Sequence, residues 1–107
     1  MADDLRIQAI SQNGITEVKA LIRHPMETGS RRDRKGKFIS ADFIKEVTLT
    51  HNSKVVMQAY WGPSISANPY LDMQFYGGVA GDTVTVSWVD STGATGSGMT
   101  KIREVTK

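Results

Sequence analysis

The chain has 107 residues and a formal net charge of +2, and its 39% hydrophobic and 22% charged residues are typical of an ordinary globular protein. We therefore expect a single domain over 1–107, long enough to bury a hydrophobic core without metals or disulfides. Cysteine is absent, which excludes disulfides, thiol catalysis and cysteine-ligated zinc or iron–sulfur sites.

Alternating hydrophobicity predicts strands throughout the first half of the chain. Asn13-Gly14 supplies the first turn signal, and after it Val18, Ala20 and Ile22 fall on one side of a segment whose other side is polar. This period of two is typical of a half-buried strand. The predicted strands of this half lie at 5–10, 15–24, 43–52 and 55–61, the last two joined by a hairpin turn at 51–54.

The second half continues the same pattern. Val84, Val86 and Trp88 alternate with polar residues, so we expect all three in the core. The predicted strands here lie at 70–76, at 83–89 and near 96–105. About seven short strands with turn signals between most of them, and no amphipathic helix, predict an all-β, immunoglobulin-like antiparallel sandwich. The cysteine pair that brackets the tryptophan of an immunoglobulin domain is missing.

Positive charge is concentrated in one segment, from Arg31 to Lys37. It contains five Lys or Arg residues and one acid, Asp33, for a local charge of +4, so the rest of the chain carries about −2. This distribution argues against a broad nucleic-acid footprint and favours a local segment that faces an anion or a partner. A solvated loop that only aids solubility is the alternative. The candidate docking residues are Arg31, Arg32, Arg34, Lys35 and Lys37.

The chain offers little catalytic chemistry. His24 ends a strand before Pro25, where it either caps the strand by hydrogen bonding or contacts a partner. His51 is predicted to be a solvent-exposed residue of a turn. Two histidines without cysteine make a poor metal site, although carboxylates could complete one. No nucleophile elbow, oxyanion loop or identifiable pair of catalytic carboxylates is present, so we expect no enzymatic activity and no cofactor.

A second conspicuous stretch is aromatic. The segment "YWGPSISANPYLDMQFY" (60–76) gathers Trp, Tyr and Phe around Pro63 and Pro69, which stiffen the backbone. One interpretation is a connection between strands that aromatic packing holds in place. The other is a surface for a second protein, since Trp, Tyr and Met are favoured at interface centres.

Three blocks together resemble the SoxZ family, a subunit of the SoxYZ carrier of bacterial thiosulfate oxidation. They are "HPMETGSRRDRKG" (24–36), "WGPSISANPY" (61–70) and the "WVDxxG" turn (88–93), and the resemblance covers most of the chain. Ser40 and Ser53 depart from the family's frequent proline and glycine, which concerns turn geometry only. The resemblance implies an immunoglobulin-like sandwich that pairs non-covalently with SoxY, whose cysteine on a flexible C-terminal arm carries the sulfur intermediates.

The resemblance also implies a periplasmic heterodimer that other sulfur-oxidation enzymes visit transiently. No secretory signal is visible in this sequence, so we expect export together with SoxY. Nothing indicates a nucleic-acid or membrane partner, and no apolar run approaches 18 residues. The blocks that a bare sandwich needs least give the predicted interface: His24, Pro25, Met26, Trp61, Asn68, Pro69 and Tyr70. A free-standing ligand-binding module and a redox-metal enzyme are the alternatives from other functional classes.

Overall fold

A computed structural model describes residues 5–105, which form strands and no helix. Accordingly, these residues include no helix able to cross a membrane. The strands are β1 (Leu5–Gln12), β2 (Ile15–Ile22), β3 (Ile44–His51), β4 (Lys54–Tyr60), β5 (Tyr70–Tyr76), β6 (Thr83–Asp90), β7 (Thr95–Lys101) and β8 (Arg103–Glu104).

The strands form two four-stranded sheets. The first has the order β5-β2-β1-β8 and the second the order β4-β3-β6-β7. All neighbouring strands are antiparallel except β1 and β8, which are parallel. The predicted all-β sandwich is therefore confirmed.

The core lies between the two sheets and follows the alternation in the sequence. Val18, Val47 and Val84 have no exposed surface, and Trp88 retains 8%. Val84, Val86 and Trp88 all point inward from β6, as predicted. Burial of these apolar side chains is the main stabilising term of the fold, at roughly 25 cal/mol per Å².

The single strand predicted near 96–105 is wrong in one respect. It is two strands, β7 in the second sheet and β8 in the first, and the chain crosses between the sheets at the buried Ile102. Glycine allows β7 to approach the core closely. A Cβ on Gly98 would lie 2.6 Å from Leu5 Cδ2, and one on Gly96 would lie 2.5 Å from the Trp88 indole.

The hairpin between β3 and β4 matches its prediction, but the environment of His51 does not. Asn52 and Ser53 occupy the turn with φ of 48° and 72°, the left-handed region that Asn tolerates. His51 is the last residue of β3, and its side chain is only 20% exposed because its ring packs on Phe75 and its Nε2 lies 2.8 Å from Asp82 Oδ2. The prediction of a solvent-exposed histidine is therefore wrong.

Candidate functional site

His24 lies just beyond β2, at one end of the sandwich, where the backbone of 68–69 holds it. Its N–H donates to Asn68 Oδ1 at 3.0 Å, and Asn68 N–H donates back to the His24 carbonyl at 2.9 Å. The Ile22 N–H donates to the Pro69 carbonyl at 3.0 Å. The ladder between β2 and β5 thus continues past the ends of both strands and joins the first two sequence blocks.

The His24 side chain is buried, and its hydrogen bonds define its tautomer. Nδ1 accepts the Met26 N–H at 3.1 Å, so the ring proton belongs on Nε2. Nε2 then donates to Asp90 Oδ2 at 3.0 Å. Trp88 packs edge-on against the ring, with centroids 5.3 Å apart and planes at 84°. The imidazole is therefore held by the third sequence block as well as by its own.

Asp90 closes the turn between β6 and β7 while it binds the histidine. Its Oδ1 accepts the Thr92 N–H at 2.9 Å, the Thr92 hydroxyl at 2.6 Å and the Ala94 N–H at 2.9 Å. Burial alone would raise the pKa of Asp90, but the hydrogen bonds from Thr92, His24 and Ala94 outweigh it and hold that pKa far below the ordinary range. Asp90 is thus a carboxylate that the turn and the histidine both stabilise.

Asp42 is the third acid–base group of this cluster. Its Oδ1 lies 3.3 Å from His24 Nε2, but the Nε2 proton already serves Asp90, and no donor among residues 5–105 binds this buried oxygen. Burial raises the pKa of Asp42, and the neighbouring Asp90 carboxylate raises it further, with partial opposition from His24. We call His24, Asp42 and Asp90 the His24 cluster.

The His24 cluster has the composition of a metal site but not its hydrogen bonding. One nitrogen and two carboxylate oxygens lie within 4.8 Å of one another, a donor set that suits divalent cations. A cation on Nε2 would require the ring proton on Nδ1, where it would face the Met26 N–H. The observed bonds instead assign the proton to Nε2 and favour a structural role.

The basic segment folds back on itself as a hairpin-like arm, whose two sides are joined by backbone hydrogen bonds and isolated β-bridges, rather than as an open loop. Its base is a pair of hydrogen bonds between Glu27 and Asp42, at 2.7 and 3.0 Å. Further out, the Ile39 N–H donates to the Arg31 carbonyl at 2.8 Å. At the tip, the Asp33 side chain accepts two backbone N–H groups that close a tight turn. We call residues 28–41 the basic arm; because Asp42 belongs to the His24 cluster, the cluster anchors its base.

The cations of the basic arm have different environments. Arg31 forms a two-bond ion pair with Glu27, and the Arg32 guanidinium lies 4.4 Å above the centre of the Phe38 ring. Phe38 itself is 61% exposed. The remaining cations are exposed and pair with no carboxylate among residues 5–105; they are Arg34, Lys35 and Lys37. The tip therefore presents free positive charge on a defined backbone.

The predicted interface residues divide by burial. Pro25, Asn68 and Tyr70 are exposed and Trp61 is half-buried, whereas three are buried: His24, Met26 and Pro69. His24, Met26 and Pro69 support the surrounding surface but expose too little of themselves to contact a partner. That these residues contact a partner remains a prediction.

Neither histidine is arranged for nucleophilic catalysis. Within residues 5–105, His24 and His51 each bind a carboxylate, and neither hydrogen-bonds a serine or threonine hydroxyl. Sequence reasoning missed both acids of the His24 cluster. Asp90 could have been found, because it lies in the "WVDxxG" block, whereas Asp42 lies in none of the three blocks.

Comparison with known protein families assigns the chain to a family. The family model described as "SoxZ: Sulphur oxidation protein SoxZ" matches residues 5–101, nearly the whole chain. No curated protein matches the chain. The matched range includes the whole His24 cluster, the basic arm and all of β1 to β7.

Proposed function

Since the chain belongs to the SoxZ family of sulfur-oxidation proteins, we propose that it is the non-catalytic subunit of a SoxYZ carrier. In this role it pairs with SoxY, whose cysteine arm carries the intermediates of thiosulfate oxidation. One observation carries the proposal: the three blocks that mark the family meet at His24, through Asn68 and Asp90. These three blocks therefore fix the backbone at this end of the sandwich and do not form a reactive group.

The chemistry of the chain supports a carrier role without catalysis. It has no thiol to bear a sulfur intermediate, so the cargo must be covalently attached to the other subunit. Two of its buried polar side chains, His24 and Asp90, hold the turn after β6, and the backbone of Asp42 holds the base of the basic arm. Such a subunit would present and orient the carrier arm of its partner.

The exposed members of the predicted interface give the surface that we propose for SoxY. Asn68 hydrogen-bonds to the backbone of His24, the residue before the exposed Pro25, and Tyr70, 61% exposed, is the first residue of β5. Tyr offers apolar area and a hydroxyl at low entropic cost. We expect Tyr70→Ala to weaken SoxY binding by about 2 kcal/mol with the subunit still folded.

The matched control for this variant is Met99→Ala, which removes a side chain that is 69% exposed on the other sheet. It should leave SoxY affinity unchanged. Titration calorimetry gives the affinities and thermal melting the stabilities. A destabilised Tyr70→Ala subunit with unchanged affinity would instead make Tyr70 a packing residue and remove it from the interface.

We propose that the basic arm steers anionic partners to the carrier. The cations at its tip, which pair with no carboxylate among residues 5–105, raise the rate of encounter with an acidic surface or with anionic sulfur cargo, and the gain falls with salt. The carrier would work in the periplasm, where SoxY supplies the export signal. Cell fractionation with and without that signal on SoxY tests this location: removal of the signal should leave both subunits in the cytoplasm.

The proposed function is tested by mixing the purified chain with SoxY. We expect co-elution as one species in size-exclusion chromatography and a stoichiometric calorimetric titration. A SoxY variant without its terminal cysteine should bind equally, because pairing is non-covalent. Absence of a complex at concentrations of tens of micromolar, at which a pair with a dissociation constant of about 1 μM would be mostly bound, would contradict the proposal.

A further inference from the structure

Strand β5 is the outer strand of the first sheet, and half of its backbone groups face away from the sheet. The bonds from Ile22 N–H to Pro69 O and from Gly77 N–H to Gly14 O show that the odd-numbered residues of 69–77 pair with β2. In an antiparallel ladder the alternate residues then direct their N–H and C=O groups outward. These residues are Tyr70, Asp72, Gln74 and Tyr76.

The other outer strands are protected in ways that β5 is not. The pairing of β3 with β4 is interrupted by a register shift at Leu49/Thr50, and β4 begins with a lysine. β8 has two residues, and β7, although as long and regular as β5, ends in Lys101 and contains two glycines, which weaken a strand. By contrast, β5 pairs with β2 without any shift over seven residues and contains no proline or lysine. Long, regular edges of this kind are templates for another strand.

We propose that β5 pairs antiparallel with β5 of a second copy of this chain, about a twofold axis at Met73. In this register Tyr70 lies opposite the second copy's Tyr76, and Asp72 lies opposite the second copy's Gln74. Every outward-facing backbone group of β5 then finds a partner, and the alternation of inner and outer side chains is kept across the joint sheet.

Charge and side-chain size select this register. The only charged side chain of β5 is Asp72, and the chosen axis pairs it with an amide; an axis at Asp72 would place two carboxylates directly opposite each other. An axis at Gln74 would leave Tyr70 opposite Gly78, beyond the strand. The chosen register instead covers Tyr70 and Tyr76, which are 61% and 90% exposed in the single chain.

The pairing of the two β5 strands does not rest on the proposed function, although Tyr70 belongs both to this pairing and to the surface proposed for SoxY. That SoxY and the second copy exclude each other does rest on the proposed function: the homodimer is then the form of the subunit without SoxY.

The register can be tested by cross-linking, since the chain has no native cysteine. The double variant Tyr70→Cys/Tyr76→Cys should form a disulfide-linked dimer under mild oxidation, because opposing Cα atoms of paired strands lie about 5.5 Å apart. The single variants Tyr70→Cys and Tyr76→Cys should cross-link at least tenfold more slowly. In the proposed register each single cysteine lies roughly 20 Å from its own copy, six residues away at about 3.3 Å per residue.

A second measurement does not depend on cysteine or on its effect on folding. The wild-type chain should show concentration-dependent dimerisation in sedimentation equilibrium, from 11.7 kDa towards twice that mass. Gln74→Asp places acid opposite acid and should weaken the dimer at least tenfold, and the swap Asp72→Gln/Gln74→Asp should restore it. Equal cross-linking by the single and double variants, a wild-type chain that stays monomeric, or a swap that fails to restore the dimer would each overturn the proposal.

Discussion

Removal of the His24 imidazole should destabilise the subunit by about 4 kcal/mol. His24→Ala deletes the hydrogen bond to the Asp90 carboxylate, which is worth about 1.5–3 kcal/mol as a bond to a charged group. It also leaves the buried Met26 N–H without its acceptor, at about 1–3 kcal/mol, and opens a cavity beside Trp88. Urea denaturation measures the loss as a lower midpoint with an unchanged slope.

Two further variants separate the two bonds of the ring. His24→Asn places an amide oxygen near the position of Nδ1 and can accept the Met26 N–H, but it is too short to reach Asp90. His24→Gln places a donor near the position of Nε2 and loses the Nδ1 acceptor. Each should recover part of the loss. The matched control is His51→Ala, which breaks a pair with Asp82 whose side chains are 20% and 22% exposed and removes the ring that packs on Phe75; because this pair is less buried than that of His24 with Asp90, it should cost clearly less than His24→Ala.

The loss at His24 should depend on pH in a defined direction. The pKa of Asp90 lies below its ordinary value, so the stability that Asp90 contributes is complete above the unfolded pKa of about 3.9 and declines as the pH falls towards the folded pKa. The difference between wild type and His24→Ala should therefore be largest near pH 7 and smaller at about pH 3. A loss under about 1 kcal/mol, or one that grows in acid, would refute the reasoning.

Four other changes probe the fold and the arm. Trp88→Ala should cost roughly 3–5 kcal/mol in chemical denaturation; less than about 1 kcal/mol would contradict its inward orientation. Gly96→Ala should cost about 1–3 kcal/mol by the same assay, since its Cβ would lie 2.5 Å from the Trp88 indole, whereas an unchanged midpoint would show that β7 or the indole can shift. Asp42→Asn should raise the melting temperature at pH 7. The gain should shrink as the pH falls through the raised pKa of Asp42, because the wild-type carboxyl group then becomes neutral too. A gain that persists in acid would show that removal of the Asp42 charge is not its cause. Neutral replacements of Arg34, Lys35 and Lys37 should leave the melting temperature within a few degrees. In stopped-flow measurements they should slow association with an acidic partner and flatten the salt dependence of the association rate. Unchanged kinetics would show that the arm serves solubility only.

The strands could be predicted because their chemistry is local. The alternation of Val84, Val86 and Trp88 reports a face directly, and Asn52 marks a turn by its tolerance of positive φ. The break between β7 and β8 could not be predicted, because glycines at 96 and 98 remove the side chains whose alternation would have shown it. Those glycines are explained only by what they touch across the sandwich.

The His24 cluster shows where sequence reasoning ends. The sequence offers two roles for His24, hydrogen bonding at the strand end or contact with a partner, but it does not identify Asp90, which lies 66 positions away, or Asp42, which lies in another segment. No spacing rule connects residues that only the packing of two sheets brings together. The hairpin-like structure of the basic arm could not be predicted either, because the backbone hydrogen bond between Arg31 and Ile39 does not depend on which side chains these residues carry.

The most direct test of the carrier role is intact-mass analysis of both subunits during turnover in a reconstituted thiosulfate-oxidising system. We predict that sulfur adducts appear on the SoxY cysteine, that the mass of this chain stays unchanged, and that adduct formation on SoxY requires this chain to be present. A stable sulfur adduct on this chain, or full SoxY loading without it, would contradict the account.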